Sequence, residues 1–311
     1  MHVPSPLLGQ AVGDALGMPF ETYPPDHPSL REWDGYGFHK SQYHNLAEGM
    51  WTDDTMMATL LAESLIENGT YDPHDVSKRY VRWLESGDHR GMGKTTKIAL
   101  QNLQSKIPWG KSGVQGAEGN GSAMRVIPLG VAFAWDPSLL KVSVQIESEM
   151  THSSKEAEVG ALAVALAASY LYRGVPKKDL PRLLSENLED SEVKRGISKV
   201  EFYRSAGGIG LAEVLSLLGT KAHVVQTVPS AIAALVLAGS HQEAVVSAIR
   251  AGGDTDTVAA IAGGLAGILY GKSGINQTHA VCVDDSLRLQ RLDQQLVELS
   301  LTRKKMAETK T

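Results

Sequence analysis

Apolar residues recur along most of this chain at the three- and four-residue spacing of amphipathic helices. The segments from Leu7 to Ala15, from Met56 to Leu61 and from Val76 to Leu84 all show this spacing. Strict alternation of apolar and polar residues, which is typical of half-buried strands, is scarce. The pattern therefore predicts an all-α protein built as a multi-helix globule.

Two segments are apolar on nearly every face of the helix that they predict. They run from Val159 to Leu171 and from Val258 to Tyr270, and both are rich in alanine and glycine. A helix that is apolar all round is buried, and small residues allow its neighbours to pack at close distance. Both segments are shorter than the roughly 20 residues that a membrane span needs. We therefore expect central core helices and no membrane partner.

Proline and glycine indicate where several helices begin and end. Pro229 suits the first turn of a helix that runs to Leu237, and the Gly252-Gly253 pair suits the end of the helix that contains Ala244 to Ile249. No linker rich in proline, glycine or serine divides the chain, and we find no internal repeat. We therefore predict a single domain.

The C-terminal segment is expected to belong to that domain. Residues 1–275 would form its main body, and residues 276–311 would add a docking helix and a polar tail. The docking helix is predicted over Ser286 to Leu301, where leucines recur at helical spacing. The stretch from Thr302 to Thr311 is predicted to fray.

Charge and cysteine content narrow the functional classes. The 311-residue chain has a formal net charge of -5, which gives no general attraction to nucleic acid or to an anionic membrane. Its single cysteine, Cys282, excludes an intramolecular disulfide and a cysteine metal cluster, as is typical of a reducing compartment. Residues 1–6 lack the pattern of a signal peptide. We expect a cytoplasmic monomer without a nucleic-acid surface.

Two short acidic motifs lie far apart in the sequence, each at a predicted helix start. They are Thr52-Asp53-Asp54-Thr55 and Asp254-Thr255-Asp256-Thr257. Carboxylate and hydroxyl oxygens are hard ligands that suit Mg²⁺ or Mn²⁺, and no histidine-rich or thiolate ligand set lies nearby in the sequence. If the fold brings the two helix starts together, they would form a site for two divalent cations.

Helix capping is the alternative interpretation of both motifs. Serine, threonine and aspartate are favoured helix caps, and acidic residues in a first turn complement the helix dipole. A cap requires one side chain, however, whereas each motif offers several adjacent oxygens, more than the free amides of a helix start require. Adjacent carboxylates also raise each other's pKa unless a cation relieves their repulsion. This redundancy favours metal binding.

A third motif is a glycine-rich turn, Gly119-Asn120-Gly121-Ser122-Ala123-Met124-Arg125, which is predicted to lead into a helix through Val131. Small residues there would expose backbone amides at a helix N-terminus, an arrangement that suits a phosphate or diphosphate. A plain turn is the alternative for the loop. Arg125 could equally be a structural ion-pair residue rather than a ligand contact.

Two further features have both a functional and a structural interpretation. Glycines at intervals of four from Gly9 to Gly17 predict a helix that another backbone can approach, and Glu21 would project from the turn that follows it or lie free at the surface. His152 precedes a helix and would either contact a ligand or cap that helix.

Three Gly-Lys-Ser/Thr triplets lack the earlier glycine and the strand of a phosphate loop, and no His-Glu-x-x-His pair supports a zinc protease.

Read together in chain order, these motifs resemble those of the ADP-ribosylglycohydrolase family. The resemblance rests on Gly13 to Glu21, Trp51 to Thr55, Gly119 to Arg125, Thr151-His152 and Gly252 to Thr257. Five motifs in the same order are far more specific than any one of them. The resemblance implies a single-domain orthogonal multi-helix bundle with two Mg²⁺ or Mn²⁺ ions in a cleft.

The resemblance also implies roles for individual residues. One ion would be held by Thr52, Asp53, Asp54 and Asp256, and the other by Asp254, Asp256 and Thr257, so that Asp256 bridges the two. Glu21 corresponds to a family glutamate beside the ribose, and the catalytic candidates are Glu21, Asp53 and Asp54. Contacts to the substrate are expected from Gly91, Gly119, Asn120, Gly121, Ser122, Met124 and His152.

The function that follows is hydrolysis of the N- or O-glycosidic bond between ADP-ribose and an acceptor, either a protein side chain or a small molecule. A bound divalent ion lowers the pKa of water and orients a ribose diol, and carboxylates stabilise an oxocarbenium-like state. A non-catalytic ADP-ribose-binding module and a metal-dependent phosphohydrolase are the alternatives. Family members that act on arginine carry an acidic residue where Gly91 stands here, so arginine specificity is not implied.

Overall fold

Residues 2–309 are described by a computed structural model, in which helices make up nearly all of the regular structure. The prediction of an all-α bundle is confirmed. Two short strands, β1 (Val114–Gln115) and β2 (His152–Ser153), form one parallel pair. The helices are α1 (Pro6–Gly17), α2 (Pro28–Glu32), α3 (Asp53–Asn68), α4 (Pro73–Ser86), α5 (Lys94–Gln104), α6 (Trp109–Ser112), α7 (Ile127–Ala132), α8 (Pro137–Glu149), α9 (Lys155–Tyr172), α10 (Leu180–Asn187), α11 (Glu192–Ala206), α12 (Leu211–Leu218), α13 (Val224–Leu237), α14 (His241–Arg250), α15 (Thr255–Tyr270), α16 (Gln277–Cys282) and α17 (Ser286–Glu308). Single 3₁₀ turns cover Met18–Phe20, Ala123–Arg125, Lys177–Asp179 and Lys272–Gly274.

The centre of the bundle is the contact between α1 and α15, and glycine makes this contact possible. A Cβ atom at Gly13 would lie 2.1 Å from the Ala259 carbonyl oxygen, and one at Gly9 would lie 2.4 Å from the Gly263 carbonyl oxygen. A larger side chain at either position would push the backbones apart. The predicted core helices are observed as α9 and α15. None of the helices within residues 2–309 combines the length and the apolar character that a bilayer crossing requires.

The same contact places the start of α15 beside the turn that follows α1. Thr255 Oγ1 donates a hydrogen bond of 2.7 Å to the Gly17 carbonyl at the end of α1. Further back in α1, the Gln10 side-chain amide donates to the carbonyls of Asp54 and Met124, each at 2.9 Å. Helix α1 therefore brings together the starts of α3 and α15 and the glycine-rich loop before α7.

One predicted helix start is wrong. Pro229 lies inside α13, which begins at Val224, and not in its first turn. A proline in a helix interior removes one hydrogen bond and costs about 3 kcal/mol. Val224 and Val228 are both fully buried, and burial of a valine side chain contributes about 1.5 to 3 kcal/mol. The two buried valines therefore offset the cost of the internal proline, and the helix extends past it.

The C-terminal helix is longer than predicted. Helix α17 continues to Glu308 and does not fray after Leu301. The Arg303 guanidinium lies 4.7 Å from the centre of the Phe133 ring, and such cation–π contacts stabilise the additional turns. Met1 and residues 310–311, the end of the predicted tail, lie outside the described residues.

Candidate active site

One cleft of about 230 Å³ collects most of the predicted site residues. Two of the predicted site residues, Thr52 and Ser122, do not line it. Thr52 is buried below the start of α3, and Ser122 is buried with its hydroxyl donating to the Ala157 carbonyl at 3.2 Å. The predicted residues that line the cleft are Glu21, Asp53, Asp54, Gly91, Gly119, Asn120, Gly121, Met124, His152, Asp254, Asp256 and Thr257.

The start of α3 combines capping with an excess of acidic oxygens. Thr52 Oγ1 accepts from the Asp54 N–H at 3.4 Å, so the capping interpretation is partly correct. The same oxygen lies 2.9 Å from Asp14 Oδ1 and 2.9 Å from Asp54 Oδ2, and one hydroxyl proton can satisfy only one of them. Asp54 Oδ1 is buried and has no hydrogen-bond partner among the described residues. A cation would supply the missing partner.

The start of α15 meets the start of α3 directly. Helix α14 ends at Arg250, and the Gly252-Gly253 pair turns the chain as predicted, with φ angles of 70° and 80°. Thr257 Oγ1 then donates to Asp54 Oδ2 at 3.3 Å. The neighbouring Asp254 accepts a hydrogen bond from the Asn120 side chain. The two acidic motifs and the glycine-rich loop therefore share one site.

Burial raises the pKa of all four aspartates in the two motifs. For Asp53 and Asp54 burial lifts the pKa well above the usual range, and the nearby charge of Asp14 adds to the effect. Burial also raises the pKa of Asp254, and that of Asp256 by more. Without a cation, this cluster must retain protons toward neutral pH. Charge compensation by divalent cations is the arrangement that suits it.

His44 is a site residue that the sequence did not indicate, because it lies in an irregular segment without periodicity. The predicted ligand set consisted of oxygen atoms, and the structure places one imidazole beside it. His44 Nε2 contacts Glu21 Oε2 and lies 3.8 Å from Asp256 Oδ2. The ligand atoms of these three residues lie within 4.8 Å of one another, close enough to hold one cation.

Asp14 is a second residue that was not predicted as a site residue. An acidic residue inside an otherwise apolar helix could have indicated a role for it. It is fully buried and accepts hydrogen bonds from the backbone amides and the hydroxyls of Thr52 and Thr55, at 2.7 to 3.1 Å. Burial raises its pKa to about 6. Asp14 therefore fixes the start of α3, where the metal-ligand candidates lie.

The glycine-rich loop packs against His152. A Cβ atom at Gly121 would lie 2.6 Å from His152 Cε1, so the histidine excludes a side chain there whether or not a ligand is bound. The loop does not lead straight into α7 as predicted, because the 3₁₀ turn Ala123–Arg125 intervenes. The first two amides of that turn already bond the Asn120 carbonyl. These two amides are therefore not free for a phosphate, whereas the amides of residues 119–122 make no such bond within the described part of the chain.

Arg125 is a structural residue below the loop and not a cleft residue. Its Nε donates to Glu147 Oε1 at 2.6 Å, and both side chains are fully buried. Its other nitrogens donate to the Gly121 carbonyl and, at 2.9 Å, to Thr151 Oγ1. Thr151 Oγ1 in turn lies 2.9 Å from His152 Nδ1. The ion-pair interpretation of Arg125 is therefore the correct one.

Another wall of the cleft is formed by the loop that contains Gly91. The φ angle of Gly91 is 83°, and a Cβ atom there would lie 3.0 Å from His44 Nδ1. A side chain at this position would be strained by the positive φ angle, and its Cβ atom would stand in tight contact with His44. Asp88 does not replace it, because its carboxylate pairs with Arg90 at 3.0 Å. The loop instead contributes Lys94 to the cleft lining.

An adjoining cavity of about 570 Å³ continues the cleft beyond Glu21. Its walls are the turn after α1 and the segment between α12 and α13, and it shares Glu21, Ala222 and Asp254 with the acidic cleft. Small-molecule sites commonly have volumes of about 300 to 1,000 Å³. The two cavities together give room for a ligand that reaches well beyond the acidic residues.

Comparison with known proteins agrees with this geometry. The model of the ADP-ribosylglycohydrolase family matches residues 5–305. A solved structure described as an ADP-ribosylglycohydrolase-related protein complex is similar with a TM-score of 0.77 and 30% identity, covering 95% of this chain and 96% of that chain. The ADP-ribosylarginine hydrolase Tri1 of Pseudomonas putida (strain GB-1) is 28% identical over 94% of this chain and 76% of its own length. The ADP-ribosylhydrolase ARH3 of Danio rerio is 28% identical over 86% of this chain and 82% of its own length.

The family match and these relatives, together with the all-α bundle and its acidic cleft, indicate a hydrolase of ADP-ribose linkages. The chain belongs to the ADP-ribosylglycohydrolase family.

Proposed function

We propose that this protein uses two divalent cations to hydrolyse the glycosidic bond between ADP-ribose and an acceptor, with release of free ADP-ribose. The observation that carries the proposal is the meeting of the two acidic helix starts, with Thr257 Oγ1 3.3 Å from Asp54 Oδ2. The buried, unpartnered Asp54 Oδ1 supports cation binding at that point. A cytoplasmic monomer remains our expectation.

The residues that would hold the cations come from both helix starts. When bound, the cations would lower the pKa of a water molecule and orient a ribose diol. His44 Nε2 lies 3.8 Å from Asp256 Oδ2 and would add an imidazole nitrogen to an otherwise oxygen-based set, a ligand that a transition metal such as Mn²⁺ accepts more readily than Mg²⁺ does. One cation would be held by Thr52, Asp53, Asp54 and Asp256, and the second by Asp254, Asp256 and Thr257.

We assign proton transfer to Glu21. It lies where the acidic cleft meets the adjoining cavity, and its side chain is 18% exposed. Asp53 and Asp54 are buried at the start of α3 and are better placed as cation ligands. From this position Glu21 would face both a water molecule at the cations and the leaving group.

The remaining lining residues would bind the rest of the substrate. The amides before the 3₁₀ turn of the glycine-rich loop would hold the diphosphate, and Met124 and His152 would contact the adenosine side. Asn120 donates to Asp254, so it would couple the position of this loop to that of a cation ligand. Gly91 would line the acceptor end of the cleft, where the group that carries ADP-ribose would lie.

The acceptor end does not suit a guanidinium group. A carboxylate would be needed to pair with arginine, yet the segment from Gly91 to Thr96 supplies none and contributes Lys94 to the lining. His44 occupies the space beside Gly91. We therefore propose an acceptor that is not arginine, such as a serine hydroxyl. This differs from the acceptor in the name of the relative Tri1.

Product analysis tests the function. Peptides that carry ADP-ribose on serine or on arginine are incubated with the protein in the presence of Mn²⁺, of Mg²⁺ or of excess chelator, and the products are separated by mass spectrometry. We expect free ADP-ribose with metal, none with chelator, and faster release from serine. AMP would indicate a phosphohydrolase, and ADP-ribose binding without turnover would indicate a binding module.

A further inference from the structure

The hydrogen bonds beneath His152 run in one direction, which can be followed atom by atom. Arg125 carries only donors, because a guanidinium has no acceptor. One of its terminal nitrogens, Nη2, donates to the Glu147 carbonyl at 2.7 Å and to Thr151 Oγ1 at 2.9 Å. Thr151 Oγ1 is therefore the acceptor in its bond with Arg125, and its own proton is left to donate elsewhere.

The Thr151 hydroxyl proton has one destination within the described residues. Thr151 is fully buried, and the partner that remains for its hydroxyl is His152 Nδ1, at 2.9 Å. In this arrangement Nδ1 accepts and carries no proton. In the reverse arrangement, with Nδ1 as donor, the hydroxyl proton would be buried without an acceptor, and an unsatisfied buried donor is unfavourable.

We propose that Arg125 and Thr151 fix His152 as the neutral imidazole with its proton on Nε2, so that the ring presents an N–H donor to the cleft. The ligand group beside it is then a hydrogen-bond acceptor, namely a phosphate or ribose oxygen. The identity of that ligand rests on the proposed function. Arg125 and Thr151 act as positioning residues, since neither lines the cleft.

The position of Nε2 supports this assignment. His152 lines the cleft, and its Nε2 lies 3.2 Å from where a Cβ atom would stand at either Gly119 or Gly121. The protonated edge of the ring therefore faces the glycine-rich loop. Burial, together with the charge of Arg125, lowers the pKa of His152 to about 3. The ring stays neutral near physiological pH and offers one donor only.

The same guanidinium also holds the loop. Arg125 donates through Nη1 to the Gly121 carbonyl, while its partner Glu147 accepts from the hydroxyls of Tyr71 and Tyr80, each at 2.8 Å. Arg125, which Glu147 holds in place, therefore positions both the glycine-rich loop and His152 before a ligand binds. Donors that are fixed in advance lose little freedom on binding.

The test removes the Thr151 hydroxyl and reads the histidine proton directly. Thr151→Val keeps the shape of the side chain without the hydroxyl, and Thr151→Ser is the matched control that keeps it. Protein with ¹⁵N-labelled histidine is studied by NMR without metal or ligand at neutral pH, and His152→Gln assigns the signal. We expect a single form with the proton on Nε2 in the wild type and in Thr151→Ser, and a mixture of both tautomers in Thr151→Val.

Calorimetric titration with ADP-ribose adds the functional readout. Thr151→Val should weaken binding about threefold to tenfold, and Thr151→Ser should stay within about twofold of the wild type. A wild-type His152 with its proton on Nδ1, or with two protons, would overturn the inference even if Thr151→Val failed to fold. A wild-type spectrum with the proton on Nε2 but without ADP-ribose binding would support the hydrogen-bond order and contradict the proposed function.

Discussion

Two clusters of buried charged side chains lie beside the cleft, and they differ in how far their groups are satisfied. In the arginine cluster, Glu147 accepts from Arg125 and from two tyrosine hydroxyls. In the aspartate cluster, the carboxylates face one another and Asp54 Oδ1 has no partner among the described residues. The arginine cluster is Arg125, Glu147, Tyr71, Tyr80 and Thr151, and the aspartate cluster is Asp14, Asp53, Asp54, Asp254 and Asp256.

The difference separates a structural role from a ligand-binding role. Removing an ion from water costs several kcal/mol unless opposite charge and hydrogen bonds compensate. The arginine cluster provides that compensation internally, so it can position the loop and His152 without any ligand. The aspartate cluster lacks such compensation, and in our proposal divalent cations supply it. A buried charged group thus indicates a binding site when its compensation is missing, and not merely because it is buried.

Breaking the arginine cluster should have the largest effect on stability. Arg125→Met keeps the length of the side chain but leaves Glu147 buried without its cation. We expect the free energy of unfolding, measured with urea, to fall by about 3 to 5 kcal/mol. The double variant Arg125→Met/Glu147→Met should recover part of this loss, since no charge is then left unpaired. A loss below about 1 kcal/mol in the single variant would show that the pair contributes little.

Neutralising the aspartate cluster should affect turnover more than stability. Asp256→Asn should reduce metal-dependent release of ADP-ribose by about a hundredfold or more, because it would loosen both cations, and Asp254→Asn by about tenfold, because it would loosen one. Initial rates at saturating Mn²⁺ measure the difference. Equal, modest losses in the two variants would argue that Asp256 does not bridge the cations.

The same two variants separate metal binding from capping. In metal-free protein their melting temperatures should stay the same or rise, because each substitution relieves repulsion between carboxylates. A marked fall in melting temperature without metal would favour the capping interpretation of these residues.

The stability of the metal-free protein should depend on pH in the direction set by the raised pKa values. Burial raises the pKa of Asp14 to about 6, and those of Asp53 and Asp54 well above the usual range. The folded state therefore binds more protons than the unfolded state above about pH 4, and stability falls as pH rises from there through these raised pKa values. The slope should be about 1.4 kcal/mol per pH unit for each titrating group.

Denaturation across this pH range, with and without Mn²⁺, measures the effect. Saturating Mn²⁺ should remove the fall in stability, because the cation replaces the protons. Stability that rises with pH in metal-free protein would contradict the interpretation.

The smallest expected effect concerns His44. His44→Gln should weaken Mn²⁺ binding by about tenfold and should reduce the preference for Mn²⁺ over Mg²⁺, because it removes a nitrogen ligand. Electron spin echo spectroscopy of bound Mn²⁺ should detect imidazole nitrogen coupling in the wild type and lose it in the variant. His89→Gln, at an exposed histidine, is the control. A wild-type spectrum without nitrogen coupling would leave His44 as an orienting residue for Glu21 only.

The two acidic helix starts and the glycine-rich loop could be predicted from local sequence patterns, and His44 could not. Asp53 and Asp256 stand at helix starts that capping residues and glycine mark in the sequence, whereas His44 lies where no periodicity exists. The contact between the two acidic motifs depends on the close packing of α1 against α15, which the glycine spacing indicated only in general terms. The internal Pro229 was missed because tertiary burial outweighed the local rule.

The measurement that tests the central claim most directly is the stoichiometry of Mn²⁺ binding. Metal-free protein is titrated with Mn²⁺ by calorimetry at pH 7 in two buffers of different ionisation enthalpy. Our account predicts two cations per chain and net release of protons, because carboxyls with raised pKa values must ionise to become ligands. Absence of Mn²⁺ binding, or binding of one cation without proton release, would contradict it.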